Sequence, residues 1–160
     1  MSHKKLPYRE TTDCFLLYKN QIVAQDKRHY IAFPGGGLDK GEDPIKASKR
    51  EIMEEVGAKV IGLKVVGVIE WDWFPAWADT SKRKKRYKQF RGERIYLLVG
   101  EVVEFKKPTS TEGDDWKGKK TISLNKAIEL GNKMYKKEHE NAKHYKMMQN
   151  IILKTIKNLI

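Results

Sequence analysis

Residues 36–58 read GGLDKGEDPIKASKREIMEEVGA. Gly36, Gly37 and Gly41, with Gly35 just before them, crowd its leading part, which predicts an irregular loop. Asp43 followed by Pro44 has the form of an N-cap and a first helical residue, and Gly57 has the form of a left-handed stop. A helix from Pro44 to Val56 is therefore expected. At about 100° per residue, Glu51, Glu54 and Glu55 fall within roughly a third of its circumference. Ile45, Ile52 and Val56 project elsewhere and are expected to bury, while Ala47 leaves the acidic face uncrowded.

Glu51 and Glu55 form an i, i+4 like-charge pair, and no lysine within the helix lies four residues beyond either, so this face accepts repulsion. Arg50 is the one cation in reach, and a guanidinium can hold a carboxylate by two bonds. A merely solvated acidic face would not need the glycine loop in front of it. Several carboxylate oxygens on one rigid face suit a hard divalent cation, which in turn binds phosphate.

Gly36, Glu42, Arg50, Glu51, Ile52, Glu54, Glu55 and Gly57 match the Nudix box, G-x5-E-x7-R-E-U-x-E-E-x-G-U, where U is a bulky aliphatic residue. Only Ala58, smaller than usual, departs from it. The chain thus resembles Nudix hydrolases of the MutT-like kind. That resemblance implies an α/β fold, an α/β/α sandwich with a mixed β-sheet, and hydrolysis of a phosphoanhydride with Mg2+ or Mn2+. It implies Glu51, Glu54 and Glu55 as metal-binding catalytic carboxylates, the carbonyl of Gly36 as a further ligand, Arg50 as their orienting residue and Glu42 as a support. For the general base it points to Glu112, with Glu93, Glu101 and Asp115 as alternatives.

Outward from the box, Asp13–Tyr18 and Ile22–Gln25 read as strands about a Lys19-Asn20 turn, followed by Tyr30–Phe33. Val60–Trp71 and Arg94–Phe105 read as longer strands. Trp116–Ser123 reads as a short strand before a helix from Leu124 to Leu130 that Gly131 ends. Tyr145, Met148, Ile152, Ile156 and Leu159 step by three and four, the apolar stripe of a helix against a core.

Between the long strands, at about 71–93, lies a basic aromatic insert. Residues 82–91, KRKKRYKQFR, hold seven cations and no acid, and Trp71, Trp73, Phe74 and Trp77 precede them. Lys82, Arg83, Lys84, Lys85, Arg86 and Arg91 suit phosphates, and Trp73 and Trp77 suit bases. The alternative is a solvated loop whose tryptophans plug the core edge.

The 160 residues carry 33 Lys and Arg against 21 Asp and Glu, for a net charge of +12. Residues 1–70 hold 12 basic and 10 acidic side chains and residues 71–160 hold 21 and 11, so a polyanion would be gripped from the second half. One domain is expected over 1–160. With a single cysteine, Cys14, neither an internal disulfide nor a paired-cysteine zinc site can form; in its apolar run it reads as a packing residue. The four histidines show no metal-ligand spacing. No apolar run has the length of a membrane span, and no signal peptide is evident at the start, which predicts a soluble, cytoplasmic protein.

The resemblance gives a nucleoside triphosphate, oxidised forms included, as the default substrate; the alternatives are capped or 5′-triphosphorylated RNA, dinucleoside or diphosphoinositol polyphosphates, and ADP-ribose, supported only by Pro75 beyond the box. A domain that binds nucleotide or RNA without cleaving it is the alternative of another class, and the complete set of box glutamates weighs against it.

Overall fold

The computed structural model describes residues 2–28, 30–109, 116 and 118–160. The strands are β1 (Tyr8–Tyr18), β2 (Gln21–Val23), β3 (Gln25–Asp26), β4 (Ile31–Ala32), β5 (Ala58–Asp72), β6 (Gly92–Phe105) and β7 (Thr121–Ser123). The helices are α1 (Pro44–Glu55), α2 (Ser81–Gln89), α3 (Leu124–Tyr135) and α4 (Glu140–Leu159). The main sheet runs β5-β6-β1-β2-β7, with β1 and β6 parallel and its other pairs antiparallel; β3 and β4 form a small separate pair. Lys19 and Asn20 both take positive φ, the left-handed geometry of a tight hairpin turn.

Period-two alternation along β1 sends side chains to two cores. Cys14 and Leu16 join Leu98 of β6 beneath Ile52 of α1 and Val56 at its C-terminal cap. Phe15 joins Ile95 and Leu97 against Ala127 of α3 and Leu153 of α4. One helix on one face and two on the other make the expected α/β/α sandwich. Burial pushes the Cys14 thiol up to about 12, the state of an inert packing residue. Among the described residues no helix is long and apolar enough to cross a membrane.

Several expectations are corrected. Ile45 is 36% exposed, and the buried face of α1 is instead formed by Ala47, Ser48 and Ile52. Gly131 does not end α3, which continues to Tyr135; a Cβ there would collide with the side-chain amide of Asn150, so this glycine permits close approach of α4. Tyr145, Met148, Ile152 and Ile156 pack on the core, but Leu159 is 81% exposed. The strand after Trp116 is only Thr121–Ser123, and Tyr30 lies outside β4. The insert is not a loop: Ser81–Gln89 is helical, capped by the Thr80 side chain.

Candidate active site

α1 starts and stops as its sequence directs. The Asp43 carboxylate accepts the Lys46 N–H at 2.9 Å, a cap worth about 1 kcal/mol. At the other end Gly57 has φ +65°, and a side chain there would strike the Lys106 carbonyl, so only glycine lets the chain turn into β5. The glycine loop is held along β1: Cys14 N–H donates to Pro34 O at 2.8 Å, Thr12 N–H to Gly36 O at 2.9 Å and Leu38 N–H to Glu10 O at 3.1 Å.

This brings the loop onto the carboxylates. Gly35 N–H donates to Glu55 Oε1 at 2.8 Å. A Cβ on Gly36 would lie 2.6 Å from Oε1 of Glu51, so the absence of a side chain is what admits that carboxylate. The carbonyl of Gly36 faces β1 and accepts from Thr12, through its N–H and at 3.4 Å its hydroxyl. The expected carbonyl ligand is thus also an acceptor for the sheet, and the missing side chain of the same residue clears the space that Glu51 occupies.

Arg50 ties the cluster together. Its Nε and Nη2 each lie 2.9 Å from an oxygen of Glu42. Nη2 also donates to Gly37 O at 3.0 Å, and Nη1 reaches Glu51 at 3.0 Å and Glu54 at 3.4 Å. The two-pronged contact thus goes to Glu42, and Glu54 receives only the longest bond. The Arg50 guanidinium, with the Asp39 N–H, holds the Glu42 carboxyl down at about 2. Glu42 first, and then Glu51, stabilise the charged form of Arg50.

As they stand, no three acidic, histidine or cysteine side chains among the described residues are gathered as metal ligands. Glu51 and Glu54 lean on Arg50, and Glu55 on the Gly35 N–H. The donor set nevertheless fits a hard divalent cation: three carboxylates on one turn and a half of helix, beside backbone with no side chain in the way.

Glu112 and Asp115 lie outside the described residues. The flanking Thr109 and Gly118 donate to the carbonyls of Met53 and Glu55, on the turn of α1 that bears Glu54 and Glu55. Glu93 is half-buried opposite Arg9, its carboxyl pushed up chiefly by desolvation. Glu101 lies toward the other end of β6, in a groove with Ile61 and Ile160.

A cleft of about 610 Å3 opens beside the cluster, with Glu42, Glu51 and the 37–41 loop on one side and Tyr8, Arg9, Glu10 and Phe90 also lining it. Arg9 reaches Glu93 at 3.9 Å, and its guanidinium lies against Gly37. Tyr8, Arg9 and Phe90 are site-lining residues that sequence reading did not single out. The parallel pairing of β1 with β6, which places Arg9 at this mouth, has no local signal.

The insert divides. Trp73 is 3% exposed and stacks on Trp77 at 3.8 Å, so it is core and not a platform for a base. Trp77, half-buried, also meets the Arg83 guanidinium at 5.1 Å. Arg91 forms a fork with Asp72, at 3.0 and 2.8 Å, over the Tyr8 ring, and is a fastener. Lys82, Lys84 and Lys85 are exposed, and Arg86 is half-buried near Arg9.

A family model, the NUDIX domain, matches residues 7–149. The chain is 43% identical over 135 residues to an RNA pyrophosphohydrolase of Bartonella bacilliformis, spanning 71% of this chain and 78% of that one. To an RNA pyrophosphohydrolase of Brucella anthropi it is 28% identical over 144 residues, spanning 78% and 83%. In fold it is similar to a NUDIX hydrolase from Nitrosomonas europaea, with a TM-score of 0.59 at 17% identity over 94% of this chain and 90% of that one.

Proposed function

We propose, from the premise that this chain belongs to the NUDIX family and is a hydrolase of pyrophosphate bonds, that its substrate is RNA bearing a 5′-triphosphate. Water displaces pyrophosphate, leaving a 5′-monophosphate end. The observation that carries the reading is the site itself: the carboxylate helix opens onto a cleft, and the basic insert ends at that cleft in Phe90. The names of the relatives point the same way. The protein is read as one domain acting in the cytoplasm.

Glu51, Glu54 and Glu55 would hold the cation, Mg2+ or Mn2+. When bound, it supplies neutralisation of phosphate charge and a lowered pKa for the attacking water. Arg50 orients the carboxylates and, through Glu42 and Gly37 O, fixes the loop to the helix. Arg9 meets phosphate charge at the mouth of the cleft. Glu112 takes the proton from water, a role supported by the tethering of its flanks to α1.

The test is a panel of 5′-triphosphorylated oligonucleotide, nucleoside triphosphates and dinucleoside polyphosphates with Mg2+ or Mn2+, read by product mass. The RNA should give a monophosphorylated product with the highest kcat/KM. A nucleoside triphosphate cleaved more efficiently than RNA would replace this reading with the mononucleotide one.

A further inference from the structure

α2 packs six cations into the nine residues Ser81–Gln89, with Lys82–Arg86 and Lys84–Lys88 as like-charge i, i+4 pairs. Such a helix repels itself and is held by docking rather than by propensity. Its fasteners lie on one arc. At about 100° per residue Arg86, Arg83 and Tyr87 occupy adjoining angles. Arg83 pairs with Asp79 and lies by Trp77, and Tyr87 stacks on His3 at 3.9 Å. Arg86 faces Arg9 and Glu93.

The opposite arc, about 160° wide, is swept in order by Lys84, Lys88, Lys85 and Lys82. All four are exposed, and none makes an ion pair among the described residues. Arginine thus fastens and lysine is presented. The helix ends at Phe90, a wall of the cleft that also contains Glu51, so the lysine face, roughly 9 Å long from Lys82 to Lys88, adjoins that cleft.

We infer that this lysine face is a track for the phosphodiester backbone of RNA downstream of the 5′ end. The inference deepens the RNA reading and rests on it for its role in turnover. Four lysine point charges, with no planar fork and no aromatic ring on their arc of α2, grip phosphates and ignore base identity. The buried, stacked Trp73 removes the most obvious stacking surface, which separates this track from a base-reading groove.

The experiment compares the wild-type chain with Lys82→Gln/Lys84→Gln/Lys85→Gln/Lys88→Gln, a variant that leaves every fastener in place. Binding of a fluorescent 20-nucleotide RNA with a 5′-hydroxyl, which cannot be cleaved, is read by anisotropy across salt concentrations. The variant should bind at least tenfold more weakly at low salt, with a log–log salt slope shallower by about 2–3. In turnover, kcat/KM should fall about tenfold on a triphosphorylated 20-mer and stay within twofold on a triphosphorylated dinucleotide. Equal binding by the two proteins, no RNA binding by the wild type, or equal losses on the long and short substrates would each overturn the track. If the hydroxyl RNA behaves as expected while only mononucleotides are cleaved, the track stands and the RNA-hydrolase reading fails.

Discussion

Arg50 grips Glu42 through both ends of its guanidinium, at 2.9 Å on Nε and 2.9 Å on Nη2, and so closes the loop onto α1 across eight residues of sequence. The same guanidinium touches Glu51, Glu54 and the carbonyl of Gly37. A lysine has the charge but no fork, and would hold one of these partners at a time. Arg50→Lys should lower kcat by tenfold or more with a smaller change in KM, measured by steady-state kinetics on the cleaved substrate.

The fork also makes stability depend on pH. The Glu42 carboxyl, lowered from 4.5 to about 2, is a group whose folded pKa is depressed. Its contribution is complete above about pH 4.5 and is lost as pH falls through about 2. Denaturant melts of wild type and Glu42→Gln should therefore differ at pH 6 and converge toward pH 2. A gap that widens on acidification would contradict the pairing.

Two glycines separate activity from folding. Gly36→Ala places a methyl 2.6 Å from the Glu51 carboxylate, the end of a flexible side chain, which can swing aside. Activity should drop more than tenfold with little change in Tm. Gly57→Ala meets fixed backbone at φ +65°, and should cost about 2 kcal/mol or more, read by urea unfolding.

Removal of one carboxylate should be severe. Glu54→Gln and Glu55→Gln are expected to lower turnover by orders of magnitude with the circular dichroism spectrum unchanged, and to weaken Mn2+ binding measured by calorimetry. EDTA should abolish wild-type activity, and excess Mg2+ should restore it. Unchanged turnover in either variant would remove that glutamate from the site.

Tyr145 donates its hydroxyl to the half-buried Asp13 carboxylate, which Gln149 also binds, at 2.9 Å. Burial pushes Asp13 up, so the loss of a donor leaves a poorly solvated carboxylate. Tyr145→Phe should cost about 1–3 kcal/mol in urea unfolding, and less in an Asp13→Asn background.

The box and its helix were legible because the signals are local: a cap at Asp43, a stop at Gly57, and three glutamates whose common face follows from helical pitch alone. The long strands were legible from runs of valine and isoleucine. The length of α3 was not, because Gly131 has two uses and only the approach of Asn150 selects between them. Nor was Ile45, whose place in the helical wheel says nothing of how far the sheet extends beneath it.

Sequence by itself determined the fold class, the carboxylate cluster of α1 and the charge asymmetry, each a property of neighbours along the chain. Tertiary structure alone decided which cations of the insert bind inward and which face solvent, that Trp73 is core, and that Arg9 stands at the mouth of the cleft. Those facts depend on the parallel register of β1 on β6 and on the docking of α2. Both join residues more than seventy positions apart, whose encounter is set by the packing of the whole sheet.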